Sequence, residues 1–280
     1  MRLAGPLAAA LLAACAAPRA PVSRFATLDG MRIHYVDGGR DADALVFVHG
    51  WAGDHAVWRS QIDAFGDTRV LAVDLPGHGR SASPRTEYTV DLLARAVAAV
   101  MDDAKVRRAT LVGHSNGVAV VRGFHRMHPE RTRALVAVEG PLRAMLPAEA
   151  VESFAASLEG PDGPARLEAL VDGMLPAHWA PDLRAGVRAD MLATPLHVLV
   201  SSLRGANDPA AFPEDPIEVP LLAVLARSPF WTDEYEAFVR RLAPRVEYVV
   251  LDGASHFLML DRPQEFNALL KDFLAAQVRP

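Results

Sequence analysis

The five residues Gly113-His114-Ser115-Asn116-Gly117 constrain the fold of this chain more than any other stretch. They stand between residues 108–112, a short apolar run typical of a buried strand, and residues 118–128, whose apolar side chains keep helical spacing. Gly-x-Ser-x-Gly between a strand and a helix predicts a nucleophile elbow, a strained turn that exposes its serine. The helix that follows points unpaired N–H groups at the place where an oxyanion would form. The pattern therefore predicts Ser115 as a nucleophile.

The composition is that of a globular chain. Of its 280 residues, 51% are hydrophobic and 22% are charged, which excludes a disordered chain. The formal net charge of −5 and the isoelectric point of about 6.1 give no reason to expect a nucleic-acid partner. The length is sufficient for one α/β domain with an inserted segment. We therefore expect a globular catalyst or binder of small molecules.

The N-terminal residues have the layout of an export signal. Residues 1–14 combine the positive charge of Arg2 with a short apolar run, and a proline-rich stretch follows. Leu12-Ala13-Ala14-Cys15 resembles a bacterial lipobox, in which the cysteine carries the lipid. The run is too short for a stable transmembrane span. We interpret residues 1–14 as a lipoprotein-type signal peptide and residues 15–22 as a tether.

Cys15 is the only cysteine, so no intramolecular disulfide can form and its position needs another reason. A lipid on Cys15 would anchor the protein in the bacterial cell envelope, on the periplasmic side. This lipid is the only contact with a membrane that the sequence predicts. The alternative is a misassigned start codon upstream of a cytoplasmic enzyme.

A hairpin is predicted where the folded region begins. Residues 23–28 and 31–37 alternate between apolar and polar side chains and are joined at Asp29-Gly30, a strong hairpin signal. His34 lies in the second strand, where we expect a half-exposed side chain.

A buried strand at residues 44–48 ends in His49-Gly50-Trp51. A reaction that passes through an oxyanion needs a second N–H group opposite the elbow, and the loop after this strand is where it is supplied. Gly50 lets the backbone approach a substrate, while Trp51 would donate its N–H and set its ring against an acyl pocket. The N–H of Asn116 would be the other donor. We expect His49 to brace the loop rather than to act as a base.

Residues 70–74 predict the next strand, and a tight loop, Leu75-Pro76-Gly77-His78-Gly79-Arg80-Ser81, follows. We expect Asp74 to hydrogen-bond backbone amides within this loop. Asp74 precedes the elbow strand, which favours a structural role over a catalytic one.

Together, the strand–helix alternation, His-Gly-Trp, Asp-Leu-Pro-Gly-His-Gly-x-Ser and Gly-His-Ser-Asn-Gly resemble the α/β-hydrolase family over about residues 25–278. The resemblance implies a mostly parallel sheet of about eight strands flanked by helices, with a helical cap insertion. It also implies a Ser-His-acid triad in the chain order nucleophile, acid, histidine. These motifs are specific for the superfamily but not for a substrate.

The β pattern disappears over residues 141–216. Stretches such as residues 148–158 and 165–174 predict short helices, which are expected to be broken at prolines that include Pro181 and Pro195. The resembled family places its helical cap here, over the active site.

The β pattern returns at residues 220–226 and 246–251, and a helix is predicted between these two strands. The sequence therefore divides into an α/β-hydrolase core, residues 23–140 and 217–280, and the 141–216 cap.

The loop after the last strand reads Asp252-Gly253-Ala254-Ser255-His256-Phe257. Gly-x-x-His-Phe at this place matches the catalytic histidine of the resembled family. A histidine there can lie over the elbow and face the serine. The resemblance therefore assigns His256 as the base that takes the proton of Ser115.

The triad acid departs from the commonest pattern of the resembled family, in which an Asp follows the strand that is here residues 221–226. Residues 227–232 hold no carboxylate, and the first that follows, Asp233, is explained by the positive end of a helix. Some members carry the acid one strand earlier, and Glu139 occupies that place. We favour Glu139 and keep Asp233 as the alternative acid.

These residues predict a serine hydrolase that cleaves a carboxylic ester or related acyl bond of a small, largely apolar substrate through an acyl-enzyme. No metal or organic cofactor is required. Two alternatives are a C–C bond hydrolase or lyase with the same triad, and a hydrolase-like receptor that binds a small molecule without turnover.

Overall fold

The computed structural model of the protein describes residues 20–39, 44–66 and 68–277. The predicted signal peptide and Cys15 lie outside the described residues. In the described part, eight strands form one sheet: β1 (Val22–Leu28), β2 (Met31–Gly38), β3 (Ala44–Val48), β4 (Arg69–Val73), β5 (Ala109–His114), β6 (Thr132–Val138), β7 (Leu221–Ala226) and β8 (Val246–Leu251).

The strand order is β1-β2-β4-β3-β5-β6-β7-β8. β1 and β2 form the antiparallel hairpin predicted at Asp29-Gly30, and β2 is antiparallel to β4. The five pairings from β4 to β8 are parallel. The prediction of a mostly parallel eight-stranded sheet is therefore confirmed. Because β3 to β8 run in one direction, the loops at their carboxyl ends meet at one edge of the sheet.

Ten α-helices are described: α1 (Arg59–Ala64), α2 (Val90–Asp103), α3 (Gly117–Met127), α4 (Ala148–Glu159), α5 (Gly163–Met174), α6 (Pro181–Ala193), α7 (Leu196–Ala206), α8 (Asp233–Leu242), α9 (Leu258–Asp261) and α10 (Pro263–Gln277). Buried side chains of α2, α3 and α8 pack on one face of the sheet, and those of α9 and α10 pack on the other. Alternate residues of β3 belong to the two cores, Val46 to the first and Phe47 to the second. Covering both faces explains why all five β3 residues are apolar and buried.

Helices α4 to α7 occupy the 141–216 insertion, which joins β6 to β7. Two of them, α4 and α5, lie where the sequence predicts short helices. The predicted breaks at Pro181 and Pro195 are observed as helix starts, because Pro181 is the first residue of α6 and Pro195 is the residue just before α7. A proline at a helix start loses no intrahelical hydrogen bond, and its fixed φ suits the first turn.

The expectation of a half-exposed His34 is wrong, since the side chain is fully buried. β2 pairs with a strand on each side, and the imidazole lies 5.2 Å from the ring of Phe25, centroid to centroid. Its Nδ1 donates to the carboxylate of Asp74 at 2.7 Å, which satisfies the buried ring.

Among the described residues, no helix has both the length and the apolar character needed to cross a membrane.

Candidate active site

Ser115 stands in the turn between β5 and α3 with a left-handed backbone, φ 52°. Such a conformation is strained for a residue with a side chain. The flanking glycines are required by packing. A Cβ on Gly113 would lie 2.4 Å from the carbonyl oxygen of Gly117, and a Cβ on Gly117 would lie 2.6 Å from that of His49. The local sequence therefore forms the tight elbow that the motif predicts.

Glu139 directly follows β6 and is also left-handed, with φ 48°. Its backbone N–H donates to the carbonyl oxygen of Val224 on β7, 3.0 Å away. The next residue, Gly140, lies against the elbow, because a Cβ there would approach the carbonyl oxygen of Ser115 to 2.3 Å. The backbone N–H of Ser115 in turn donates to the carbonyl oxygen of Val138, 2.9 Å away. The end of β6 and the elbow are therefore fixed to each other.

The carboxylate of Glu139 faces His256. Its Oε2 is 3.1 Å from Nδ1 of the imidazole, and the side chain is only 7% exposed. Nδ1 therefore carries a hydrogen and donates it, which leaves Nε2 as the basic nitrogen. Asp233, the alternative acid, is instead the first residue of α8 and is exposed, where it accompanies the N-cap Thr232.

The loop that carries His256 is held from two sides. The N–H of Ser255 donates to Oδ2 of Asp261 at 3.0 Å, and Oδ1 of Asp261 accepts from the indole of Trp179 at the same distance. The ring of His114 lies beneath the loop, 4.7 Å from the ring of His256 between centroids. These contacts fix the loop against both the elbow and the 141–216 insertion.

The loop after β3 approaches the elbow from the opposite side. A Cβ on Gly50 would lie 2.8 Å from Cβ of Ser115, so only glycine fits there without a shift. His49 braces this loop as expected, because its Nδ1 donates to the carbonyl oxygen of Gly50 at 2.8 Å and its Nε2 accepts from the N–H of Leu75 at 3.0 Å. Burial lowers the pKa of His49. The ring therefore stays neutral, with a hydrogen on Nδ1 that donates and a bare Nε2 that accepts.

Trp51 and Asn116 are the predicted oxyanion donors. Within the described residues, neither backbone N–H donates a hydrogen bond to another protein group. Asn116 is the residue just before α3, where helix N–H groups lack intrahelical partners. The indole N–H of Trp51 donates to the carbonyl oxygen of Leu199 on α7 at 2.8 Å, which ties this side chain to the insertion.

Asp74 is buried at the end of β4 and has the structural role that the sequence predicts. Its carboxylate accepts from the N–H of Arg80 in the following loop at 2.9 Å and from that of His55 at 2.8 Å. Nδ1 of His34 and of His55 also contact it. Burial raises the pKa of Asp74, but the hydrogen bonds from both histidines outweigh this effect and leave it well below its usual range.

The same three side chains, His34, His55 and Asp74, form a group whose ligand atoms all lie within 4.8 Å of one another. Such a set could hold a metal ion. Here the carboxylate is joined to both imidazoles directly, at 2.7 and 2.8 Å. These contacts already satisfy the buried carboxylate, so the cluster is a brace between β2 and the loops after β3 and β4.

Two residues near the site, His114 and Trp231, are not assigned a role from the sequence. Nε2 of His114 contacts the carbonyl oxygen of His256, and the indole N–H of Trp231 donates to Oε1 of Glu139. The sequence does contain an indication for Trp231. The 227–232 segment lacks the carboxylate that the resembled family usually carries there, and Trp231 is its one residue with an aromatic N–H.

Residues 45–269 match the model of the alpha/beta hydrolase family. The chain therefore belongs to this family, and its relatives with known activities support an enzyme of the hydrolase class.

Three similar proteins illustrate the range of the family. The chain is 28% identical, over 90% of its length and 68% of the relative's, to the dihydrolipoyllysine-residue acetyltransferase component of the acetoin cleaving system of Cupriavidus necator. It is 29% identical, over 87% of its length and 91% of the relative's, to a 2-hydroxy-6-oxononadienedioate/2-hydroxy-6-oxononatrienedioate hydrolase of Paraburkholderia phymatum. Among solved structures, Est816, an N-acyl homoserine lactone degrading enzyme, is 27% identical with a TM-score of 0.77, covering 89% of this chain and all of that one.

Proposed function

We propose that this protein is a serine hydrolase that cleaves a carboxylic ester or related acyl bond of a small, largely apolar substrate. The observation that carries the proposal is the contact of 3.1 Å between His256 and Glu139 at the edge of the sheet that presents Ser115 in a strained elbow. A buried carboxylate on one imidazole nitrogen, with a serine elbow at the same sheet edge, is the arrangement of a nucleophile, a base and an orienting acid.

In the proposed reaction, the basic Nε2 of His256 takes the proton of the Ser115 hydroxyl as Oγ attacks the substrate carbonyl. Glu139 stabilises the imidazolium that forms and keeps its proton on Nδ1. The tetrahedral intermediate collapses when Nε2 returns the proton to the leaving alcohol oxygen, and an ester of Ser115 remains. Water, activated by His256 in the same way, then releases the acid and restores the serine.

The backbone N–H groups of Trp51 and Asn116 are the proposed oxyanion donors. Support comes from the close approach of Gly50 to Ser115 and from the position of Asn116 at the start of α3. Both groups lack a protein acceptor among the described residues. Two fixed N–H dipoles at the developing charge would lower the barrier without any rearrangement. The proposed chemistry uses no metal or organic cofactor.

The experiment that tests the proposal combines an active-site label with a substrate panel. A fluorophosphonate should label the wild-type protein at Ser115 and leave Ser115→Ala unlabelled. A chromogenic panel of esters graded by acyl length, with lactones and amides included, then identifies the acyl bond that is cleaved. Labelling without turnover of any member of the panel would favour a receptor-like protein and contradict the proposal.

A second candidate reaction is hydrolysis of a carbon–carbon bond beside a ketone. It is favoured by the similarity to the Paraburkholderia phymatum hydrolase, whose named substrates carry an oxo group between two carboxylates. The same serine, histidine and acid would serve this reaction. Including vinylogous diketones in the panel distinguishes the two, because an ester hydrolase should leave them intact.

For the location of the protein, we propose a lipid on Cys15 and a periplasmic position at the bacterial cell envelope. Support comes from the lipobox-like Leu12-Ala13-Ala14-Cys15 and the proline-rich tether before β1.

A further inference from the structure

The two oxygens of the Glu139 carboxylate have separate partners. Oε2 faces Nδ1 of His256, while Oε1 accepts the backbone N–H of Ala226 and the indole N–H of Trp231, the latter at 2.8 Å. Hydrogen bonds to an ionised and buried acceptor are stronger than neutral ones. The donors on Oε1 therefore decide how the carboxylate is turned toward the histidine.

Both donors come from the end of β7 and the segment after it. Ala226 is the last residue of β7, and Trp231 lies in the 227–232 segment that leads to α8. In the resembled family this segment is the commonest place for the triad acid. Here the acid comes from the end of β6 instead, and the segment supplies a hydrogen-bond donor to it.

The indole of Trp231 is fixed by packing as well as by this bond. Its ring lies 5.0 Å from the ring of Tyr235 on α8, centroid to centroid, and the backbone N–H of Trp231 donates to the carbonyl oxygen of Ser228 at 3.3 Å. Tyr235 is fixed in turn, because its hydroxyl accepts the N–H of Leu142 at 2.9 Å. A ring held in this way presents its N–H in one direction.

We propose that Trp231 is a positioning residue for the reaction. Its indole N–H holds Oε1 of Glu139, so that Oε2 stays on Nδ1 of His256 and the imidazole keeps Nε2 toward Ser115. This role rests on the proposed function, since it acts entirely through the triad acid.

Trp231→Phe is the direct test, because phenylalanine keeps an aromatic ring but has no N–H. It should lower kcat by about tenfold or more, the size expected for one hydrogen bond to a charged group, with KM changed by less than about twofold. Trp231→His should recover most of this loss, since its Nε2 stands the same number of bonds from Cβ as the indole nitrogen. Phe230→Ala, on the same segment and 67% exposed, is the control that should leave kcat unchanged.

A double-mutant cycle with Glu139→Ala separates positioning from general support of the fold. Without the carboxylate the indole has nothing to hold, so adding Trp231→Phe to Glu139→Ala should lower kcat by less than about twofold further. Equal losses in the two backgrounds, or a wild-type kcat in Trp231→Phe, would overturn the proposed role of Trp231 alone. A wild-type kcat in Glu139→Ala would instead overturn the acid assignment, and the role of Trp231 with it.

Discussion

The imidazole of His114 donates its Nε2 hydrogen to the main-chain carbonyl oxygen of His256 across 2.8 Å. A carbonyl can only accept, so the ring must carry its hydrogen on Nε2. Burial, followed by the nearby charge of His256 when protonated, lowers the pKa of His114 well below its usual value. His114, the residue beside Ser115, therefore supports the loop of the proposed base as a neutral donor.

His114→Phe should therefore weaken both folding and turnover. It leaves the carbonyl of His256 without its partner, which costs about 1–3 kcal/mol of unfolding free energy. The freed loop should lower kcat by about tenfold, since small displacements of reacting groups are costly. Urea unfolding and steady-state kinetics measure the two effects. His197 lies on α7, and His197→Phe, which removes a similar bond to the carbonyl oxygen of Ser83, is the matched control. An unchanged kcat in His114→Phe would show that the loop does not need this support.

Ser115→Ala should fold normally and lose nearly all turnover. The residual rate should be that of the oxyanion donors and substrate binding alone, about 10³–10⁴ above the reaction in water. Circular dichroism checks folding, and kcat on the best ester of the panel measures the loss. Retention of a tenth or more of wild-type kcat would exclude Ser115 as the nucleophile.

Glu139→Gln and Asp233→Asn should have very different effects. Glu139→Gln removes the charge that faces His256 and should lower kcat by a large factor, up to about 10⁴ if it parallels loss of the acid in other triads. Asp233→Asn changes an exposed residue at the start of α8 and should alter kcat little. The reverse order of the two variants would make Asp233 the acid.

His78 should make the protein less stable as the pH falls. Burial, with a smaller contribution from His49, lowers the pKa of His78 to about 3. An unfolded histidine titrates near pH 6.5. Between those values the unfolded chain therefore binds a proton that the folded chain does not, and the unfolding free energy falls by up to about 1.4 kcal/mol per pH unit.

His78→Asn should lower the slope of the unfolding free energy against pH by up to about 1.4 kcal/mol per pH unit. Urea unfolding between about pH 6.5 and 5 measures the slope in a range above the titration of ordinary carboxylates. The buried His49 and His114 contribute in the same direction, so part of the slope should remain. His197→Asn, on the partly exposed face of α7, is the control. Equal slopes in His78→Asn and wild type would show that His78 binds its proton equally in both states.

Cys15→Ala should move the protein from the membrane fraction to the soluble fraction of its host cell. A bacterial lipoprotein is held by two or three acyl chains, and a single chain would anchor it only marginally. Fractionation and intact mass measure the change. Native protein that retains Met1 would contradict lipidation and favour a cytoplasmic location.

Local rules predict much of this fold because several of its central strands are uninterrupted apolar runs and its first two strands alternate. The 44–48 run is observed as β3, and the predicted elbow is observed between β5 and α3. The prediction fails for His34, whose exposure depends on tertiary partners. The alternation of β2 predicts a half-exposed side chain, but β2 has a neighbouring strand on each side and the carboxylate of Asp74 accepts from the buried ring.

The sequence singles out Glu139 as the proposed acid, since a carboxylate at the end of an apolar strand has little structural purpose. The sequence does not predict the residues that contact it or that hold the loop of His256. The indole that holds Glu139 lies 92 residues away along the chain, and the carbonyl bound by His114 lies 142 residues from it. No periodicity or short motif relates residues at such separations. They are brought together by the order of strands in the sheet.

The left-handed backbone of Ser115 has a consequence for directed evolution. Glycine adopts this conformation freely, whereas a residue with a side chain loses about 1 kcal/mol or more to hold it. A library selected only for heat resistance should therefore enrich glycine at this position and, on the proposed mechanism, deliver inert proteins. Screens for robust variants of this protein need to hold this codon fixed or to score turnover in every round.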